Sequence, residues 1–192
     1  TVDRVQGILW GDDTHAIVTD YWWNTRHTRT YVLDPSKPGA PLRELVSRSY
    51  QDQYSDPGQF ETRKNAAGET VLALDSGQVH LIGEGFTPEG QFPFIDRMEL
   101  ATGDAVQLTE GDALDDYGAM ISADDKSAYY QQDRKVWKLD LATLQRTCLY
   151  AAPDGWDCGN WGMSDDNRYL VMTETRRDTL PDLTGKKGWE FF

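Results

Sequence analysis

The sequence predicts an all-β chain: a β-propeller of four blades, each with four antiparallel strands, closed by the N-terminal strand. Three observations carry this. Three kinds of segment recur in fixed order along the 192 residues: an acidic turn leading into a strand, four times, and a second strand with its turn and a short outer strand, three times each. The acidic turns fall near positions 13, 68, 125 and 166, and their spacings of 55, 57 and 41 residues bracket the size of one blade. No long helical period competes, and segments such as Leu42 to Arg48 are too short to outweigh the strand pattern.

In chain order, Ile8-Leu9-Trp10 reads as the first inner strand. Gly11-Asp12-Asp13-Thr14 turns into His15 to Thr19, Ala67-Gly68-Glu69 into Thr70 to Leu74, Ala123 to Lys126 into Ser127 to Tyr130, and Asp165 to Arg168 into Tyr169 to Thr173. Asp, Asn and Gly suit these positions because they tolerate left-handed backbone and hydrogen-bond their own turn. The next strands are Arg29 to Asp34, Ile95 to Leu100 and Lys135 to Asp140. The outer strands are Leu42 to Val46, Ala105 to Thr109 and Thr147 to Tyr150. Lys37 to Pro41 and Gly83 to Phe92 read as insertions. The last unit has an inner strand at Trp161-Gly162-Met163 and a candidate third at Gly188 to Phe192, but no fourth. Val2 to Val5 is expected to supply it, which would close the ring and remove open sheet edges. The competing arrangement is a half-ring that pairs with a second copy to make eight blades.

Charge narrows the partners. Nineteen basic against thirty-two acidic residues give a net charge of −13, which disfavours nucleic acid and anionic membranes. No apolar run reaches the length of a membrane-spanning helix. Cys148 and Cys158 cannot build a disulfide framework and read as reduced, partly buried side chains, with a single bridge as the alternative. No residue fixes a compartment.

Two resemblances run along the chain. Trp10-Gly11-Asp12-Asp13, Thr25 to Tyr31, Tyr54-Ser55-Asp56-Pro57-Gly58 and Gly83-Glu84-Gly85-Phe86-Thr87-Pro88-Glu89-Gly90 resemble the propeller of glutamyl-endopeptidase-like serine peptidases, over residues 1 to 103. That resemblance implies a propeller gating a separate hydrolase domain; no G-x-S-x-G elbow is present here. Gln107 to Gly111, Val136 to Leu144 and Thr173 to Asp178 resemble oligogalacturonate lyase, over residues 104 to 192. That family implies a seven-bladed propeller that cleaves pectin oligomers by β-elimination and holds a divalent metal with His and Gln side chains in later blades. The change of resemblance at Ala101-Thr102-Gly103-Asp104, a turn both families have, reads as the join of an engineered chimera.

The chemistry-bearing residues offer no site. His15, His27 and His80 are scattered and lack any zinc spacing. Asp12-Asp13, Asp115-Asp116, Asp124-Asp125 and Asp165-Asp166 do not follow a calcium loop, and turn chemistry accounts for three of the four; weak cation capture at Asp115-Asp116 is the residual reading. Trp22-Trp23, Tyr129-Tyr130 and Phe191-Phe192 alternate faces, so one ring of each is expected between blades, with a sugar platform as the alternative. Arg26, Arg29, Arg176 and Arg177 are expected to pair with acids rather than bind an anionic ligand. Ser55 lacks an activating base. No catalytic, cofactor or metal residue is assigned, and no cofactor is expected.

These readings converge on a single-domain hybrid scaffold without catalytic activity, soluble and monomeric, of the kind expressed recombinantly in a cytoplasm. The alternatives are a truncated carbohydrate-active propeller that binds acidic oligosaccharides weakly, and a self-associating half-propeller dimer.

Overall fold

The structure, a computed structural model, describes residues 4–109, 119–164 and 166–176, and every sheet among them is antiparallel. The first sheet is a meander of β1 (Val5–Trp10), β2 (Ala16–Trp22), β3 (His27–Leu33) and β4 (Arg43–Ser49). The second begins with the short pieces β5 (Gln59–Phe60), β6 (Thr62–Lys64), β7 (Thr70–Leu72) and β8 (Leu74–Asp75). It continues through β9 (Gln78–Gly83), a small hairpin of β10 (Phe86–Thr87) and β11 (Gly90–Gln91), then β12 (Phe94–Glu99) and β13 (Ala105–Gln107). The third repeats the simple meander with β14 (Met120–Ile121), β15 (Ser127–Gln132), β16 (Lys135–Asp140) and β17 (Arg146–Ala151). β18 (Trp156–Met163) and β19 (Leu170–Arg176) form the fourth sheet. The described helical content is one 3-10 turn at Trp23–Thr25.

Two-residue turns set the registers. Asp133 and Arg134, at φ 54° and 59°, join β15 to β16 and bring Gln132 opposite Lys135. Ser76 and Gly77, at φ 51° and 87°, do the same between β8 and β9. Positive φ at both central residues gives a turn whose twist matches that of the strands it joins.

The second sheet departs from the expected four-strand unit. Residues 59 to 64 run as one extended stretch that changes partner at Glu61. Its N–H donates to the carbonyl of His80 in β9, and its carbonyl accepts from the N–H of Ala73. The stretch therefore pairs with β9 on one side of Glu61 and with β7 on the other, and the main path of this sheet is β13-β12-β9-β5 with β8 beside β9. The strand expected at Thr70 to Leu74 is broken at Ala73, where the partner changes.

The expected closing strand also differs. The carbonyl of Arg4 accepts from the Tyr21 N–H at 3.1 Å and Val5 opposes Asp20, so both residues extend the first sheet. The remainder of that segment, Asp165, and the candidate strand at Gly188 to Phe192 lie outside the described residues.

Strand alternation places two cores between the first three sheets. Ile17, Leu72, Val79, Leu81, Met98 and Leu100 pack between the first and second. Ile95, Leu108, Ile121, Tyr130, Leu139 and Leu141 pack between the second and third. The opposite face of the first sheet buries Asp20, 1% exposed, under a two-pronged contact from Arg29: Nε to Oδ1 at 3.1 Å and Nη2 to Oδ2 at 2.8 Å. The register that sets Asp20 directly across from Arg29 makes this geometry available.

Candidate functional site

The acidic turns are built from one hydrogen-bond pattern. In the third sheet, Ser122 Oγ accepts from the Ser127 N–H at 2.9 Å and donates to Asp124 Oδ1 at 2.7 Å. In the fourth, Ser164 Oγ accepts from the Tyr169 N–H at 3.0 Å and donates to Asp166 Oδ1 at 2.6 Å. Left-handed residues occupy the same place in each, Asp125 at φ 55° and Asn167 at φ 59°, as does Gly68 at φ 81° in the second sheet. The paired acids Asp124-Asp125 and Asp12-Asp13 thus serve turn geometry, with the Thr14 N–H donating to Asp12 Oδ1 at 2.8 Å in the first sheet. Asp115-Asp116 lie outside the described residues.

These turns converge with the β6–β7 hairpin on a cleft of about 350 Å³ at the meeting of the second, third and fourth sheets. The hairpin supplies Arg63 and Lys64, and the turns supply Ser122, Asp125, Ser164 and Asn167. Arg63 forms an ion pair with Asp125 and also donates to the carbonyl of Leu74 at 3.2 Å. Lys64 Nζ donates to Thr70 Oγ1 at 2.7 Å. Glu61, at the change of strand partner, lines the same cleft. Burial raises its carboxyl above the ordinary glutamate value of 4.5, and the Asp125 charge adds to this. Asp125 is also raised above 3.8: burial, with repulsion from Asp75 and Asp124, outweighs the attraction of Arg63. The cleft therefore joins two cationic side chains to two carboxyls that hold their protons more readily than usual. Such a set can bind a polar or anionic ligand and accept or return a proton.

The other candidates fall elsewhere. His15 Nδ1 lies 3.0 Å from Asp12 Oδ1 and His27 Nε2 lies 2.9 Å from Ser47 Oγ. His80 is buried at 6% exposure, and its Nε2 has no hydrogen-bond partner among the described residues. Burial and Arg97 push it below 6.5, against a weaker pull from Asp75. Ser55 Oγ meets only the carbonyl of Asp52, at 3.5 Å. Cys148 is exposed, and Cys158 is half-buried with its Sγ 3.2 Å from the carbonyl of Arg134. Trp22 and Trp23 are exposed at 42% and 62% rather than packed between sheets: Trp22 is the last residue of β2, and Trp23 opens the helical turn that leads away from it. Tyr129 and Tyr130 are both buried, while Phe191-Phe192 and Arg177 lie outside the described residues. Arg29 holds Asp20, whereas the guanidiniums of Arg26 and Arg176 lie over the rings of Trp23 and Trp156. Among the described residues, no helix is long and apolar enough to cross a membrane.

Comparison with known proteins decides the family. The oligogalacturonate lyase family model matches residues 57–192 without a break. The chain belongs to the oligogalacturonate lyase family. An oligogalacturonate lyase of Dickeya dadantii (strain 3937) is 36% identical over 98 residues, half of this chain and 25% of that protein. A probable chloroplastic glutamyl endopeptidase of Arabidopsis thaliana is 41% identical over 150 residues, 75% of this chain and 15% of that protein. The chain thus spans only a small part of the relatives it matches. The solved oligogalacturonate lyase of Vibrio parahaemolyticus aligns over 91% of this chain and 40% of its own, at 23% identity and a TM-score of 0.52, which identifies a propeller-type fold.

The expectation of a non-catalytic engineered scaffold is corrected by these matches. Oligogalacturonate lyases are enzymes, and the family match crosses residues 101–104, where a join between two parents was expected. Metal chemistry does not fit the described residues: no group of three His, Cys, Asp or Glu side chains stands close enough to share an ion.

Proposed function

We propose that this chain supplies four consecutive blades of an oligogalacturonate-lyase-type propeller enzyme, and that the cleft between the second, third and fourth blades faces an acidic oligosaccharide. The single observation that carries this is the continuous family match over residues 57–192, which includes the residues that build the cleft. Arg63 and Lys64 meet uronate carboxylates, since a guanidinium matches the planar fork of a carboxylate. Ser122, Ser164 and Asn167 present polar groups to sugar hydroxyls. Glu61 is placed to exchange a proton, its carboxyl being raised by burial. In this reading residues 1–192 are one domain, without nucleic-acid or membrane partners. The alternative, a four-blade ring closed at its N-terminus, would be favoured by a monomer mass in light scattering together with a melting temperature lowered by removing residues 1–6. An eight-bladed dimer would double the mass.

Calorimetry with trigalacturonate tests the assignment. Saturable binding, weakened at least tenfold in Arg63→Gln and Lys64→Gln, is expected. No binding, or binding untouched by either change, overturns it. The ultraviolet absorbance of an unsaturated uronate product reports β-elimination separately. A second reading is favoured by the 41% identity to a glutamyl endopeptidase: a propeller that admits peptides to a separate peptidase domain. Binding of a glutamate-rich peptide in place of trigalacturonate would select it.

A further inference from the structure

The first sheet carries a second cleft, on the β2–β3 connection. It encloses about 350 Å³ and is lined by Arg4, Tyr21, Trp22, Trp23 and Asn24. Two adjacent indoles left 42% and 62% exposed are costly to hydrate, and an exposed aromatic patch of this kind marks a surface that binds something. The patch is also braced. Arg26 adopts a left-handed φ of 60°, its N–H closes the turn on the Trp23 carbonyl, and its guanidinium sits 4.3 Å over the Trp23 ring. Arg26 Nη1 donates to the Tyr50 hydroxyl at 2.9 Å, and Tyr50 packs edge-on against Tyr21 with centroids 6.1 Å apart. These contacts hold the rings in place before any ligand arrives, which lowers the ordering cost of binding.

Charge then selects the ligand. The chain carries thirty-two acidic residues, yet among the described residues no acid lines this cleft. The charged side chain at its rim is Arg4, anchored through its carbonyl to the Tyr21 N–H and making no ion pair among the described residues. We infer that this cleft is an ancillary binding site for a uronate unit of an acidic oligosaccharide, remote from the cleft between the later blades. The positively polarised C–H face of a pyranose ring lies on the negative face of an indole, the carboxylate meets Arg4, and the Asn24 amide reaches a hydroxyl. The inference rests on the acidic-oligosaccharide reading above and assigns it a second contact point on the protein.

Tryptophan fluorescence titrated with trigalacturonate, and with neutral galactotriose as control, tests it. Saturable quenching by trigalacturonate is expected, at least tenfold weaker in Trp23→Ala and about fivefold weaker in Arg4→Gln. Because Trp22 also reports, the quenching remains measurable in Trp23→Ala, and circular dichroism checks that each variant is folded. Wild-type affinity in both Trp23→Ala and Arg4→Gln, or equal quenching by galactotriose, overturns this site. If binding survives both changes but disappears in Arg63→Gln, the first cleft stands and the ancillary site falls. If the unaltered protein binds no acidic oligosaccharide, both fall.

Discussion

The third and fourth sheets use the same turn and end in opposite environments. Ser122 and Ser164 make equivalent hydrogen bonds, and each turn carries a left-handed residue at the same place. Yet β15 places Ser127, Ala128, Tyr129 and Tyr130 in the interior, whereas no residue of β18 or β19 is fully buried. Turn geometry is therefore set by a few local hydrogen bonds, and burial is set by what the next sheet provides. The third sheet faces the second across a shared core; the described part of the fourth has no core cluster of its own.

The largest break in that contrast comes from the core. Leu139→Ala is expected to cost about 2–5 kcal/mol, since it deletes buried methyl groups and leaves a cavity. Val171→Ala, at a position 71% exposed, is expected to stay within about 0.5 kcal/mol. Urea unfolding of both variants reads the difference directly. Comparable losses would show that the fourth sheet is as tightly held as the third.

The turns sharpen the comparison. Ser122→Ala strips the acceptor from the Ser127 N–H inside the protein, and a loss of about 1–2 kcal/mol is expected. Ser164→Ala removes the same bond where water can replace it, so about 0.5 kcal/mol is expected. Thermal unfolding of the pair separates local geometry from burial.

Acid should act on the second sheet. His80 is neutral and buried, with its pKa below the unfolded value of 6.5. As pH falls below 6.5 the unfolded chain takes up a proton that the folded chain refuses, so stability falls by at most about 1.4 kcal/mol per pH unit until the folded value is passed. Glu61, Asp96 and Asp125 act in the opposite sense. Their folded values are raised, so protonation on acidification stabilises the fold. Urea titrations between pH 7.5 and about 5 should show His80→Phe losing less stability than the unaltered protein; parallel curves would remove His80 as the cause. A small effect is also expected from Arg63→Gln, about 0–1 kcal/mol in thermal unfolding, because this pair sits at an open cleft and salt screens it.

Much of this was legible in the residues. Lys135 to Asp140 forms β16 with the bounds its alternation predicts, and the acidic turns stand where Asp and Gly recur. β9 escaped the repeat because a strand buried on both faces shows no polar alternation: Val79 and Leu81 face the first sheet, while His80 on the other face is also covered. Ser76-Gly77 was the available signal, a two-residue hairpin turn directly before it. The cleft between the later sheets was not legible, since it joins Arg63 to Asp125 across 62 residues. Nor was the exposure of Trp22 and Trp23, which stand where β2 ends and the helical turn begins.

The left-handed position shared by Gly68, Asp125 and Asn167 has a consequence for how such a chain varies. Few side chains tolerate that backbone, and β-branched residues do so worst. A library randomised at each site in turn should retain Gly, Asn and Asp at these three and reject Val and Ile. The survivors would trace the repeat as a rhythm of intolerance along the gene, visible even where the strands between them had lost all likeness.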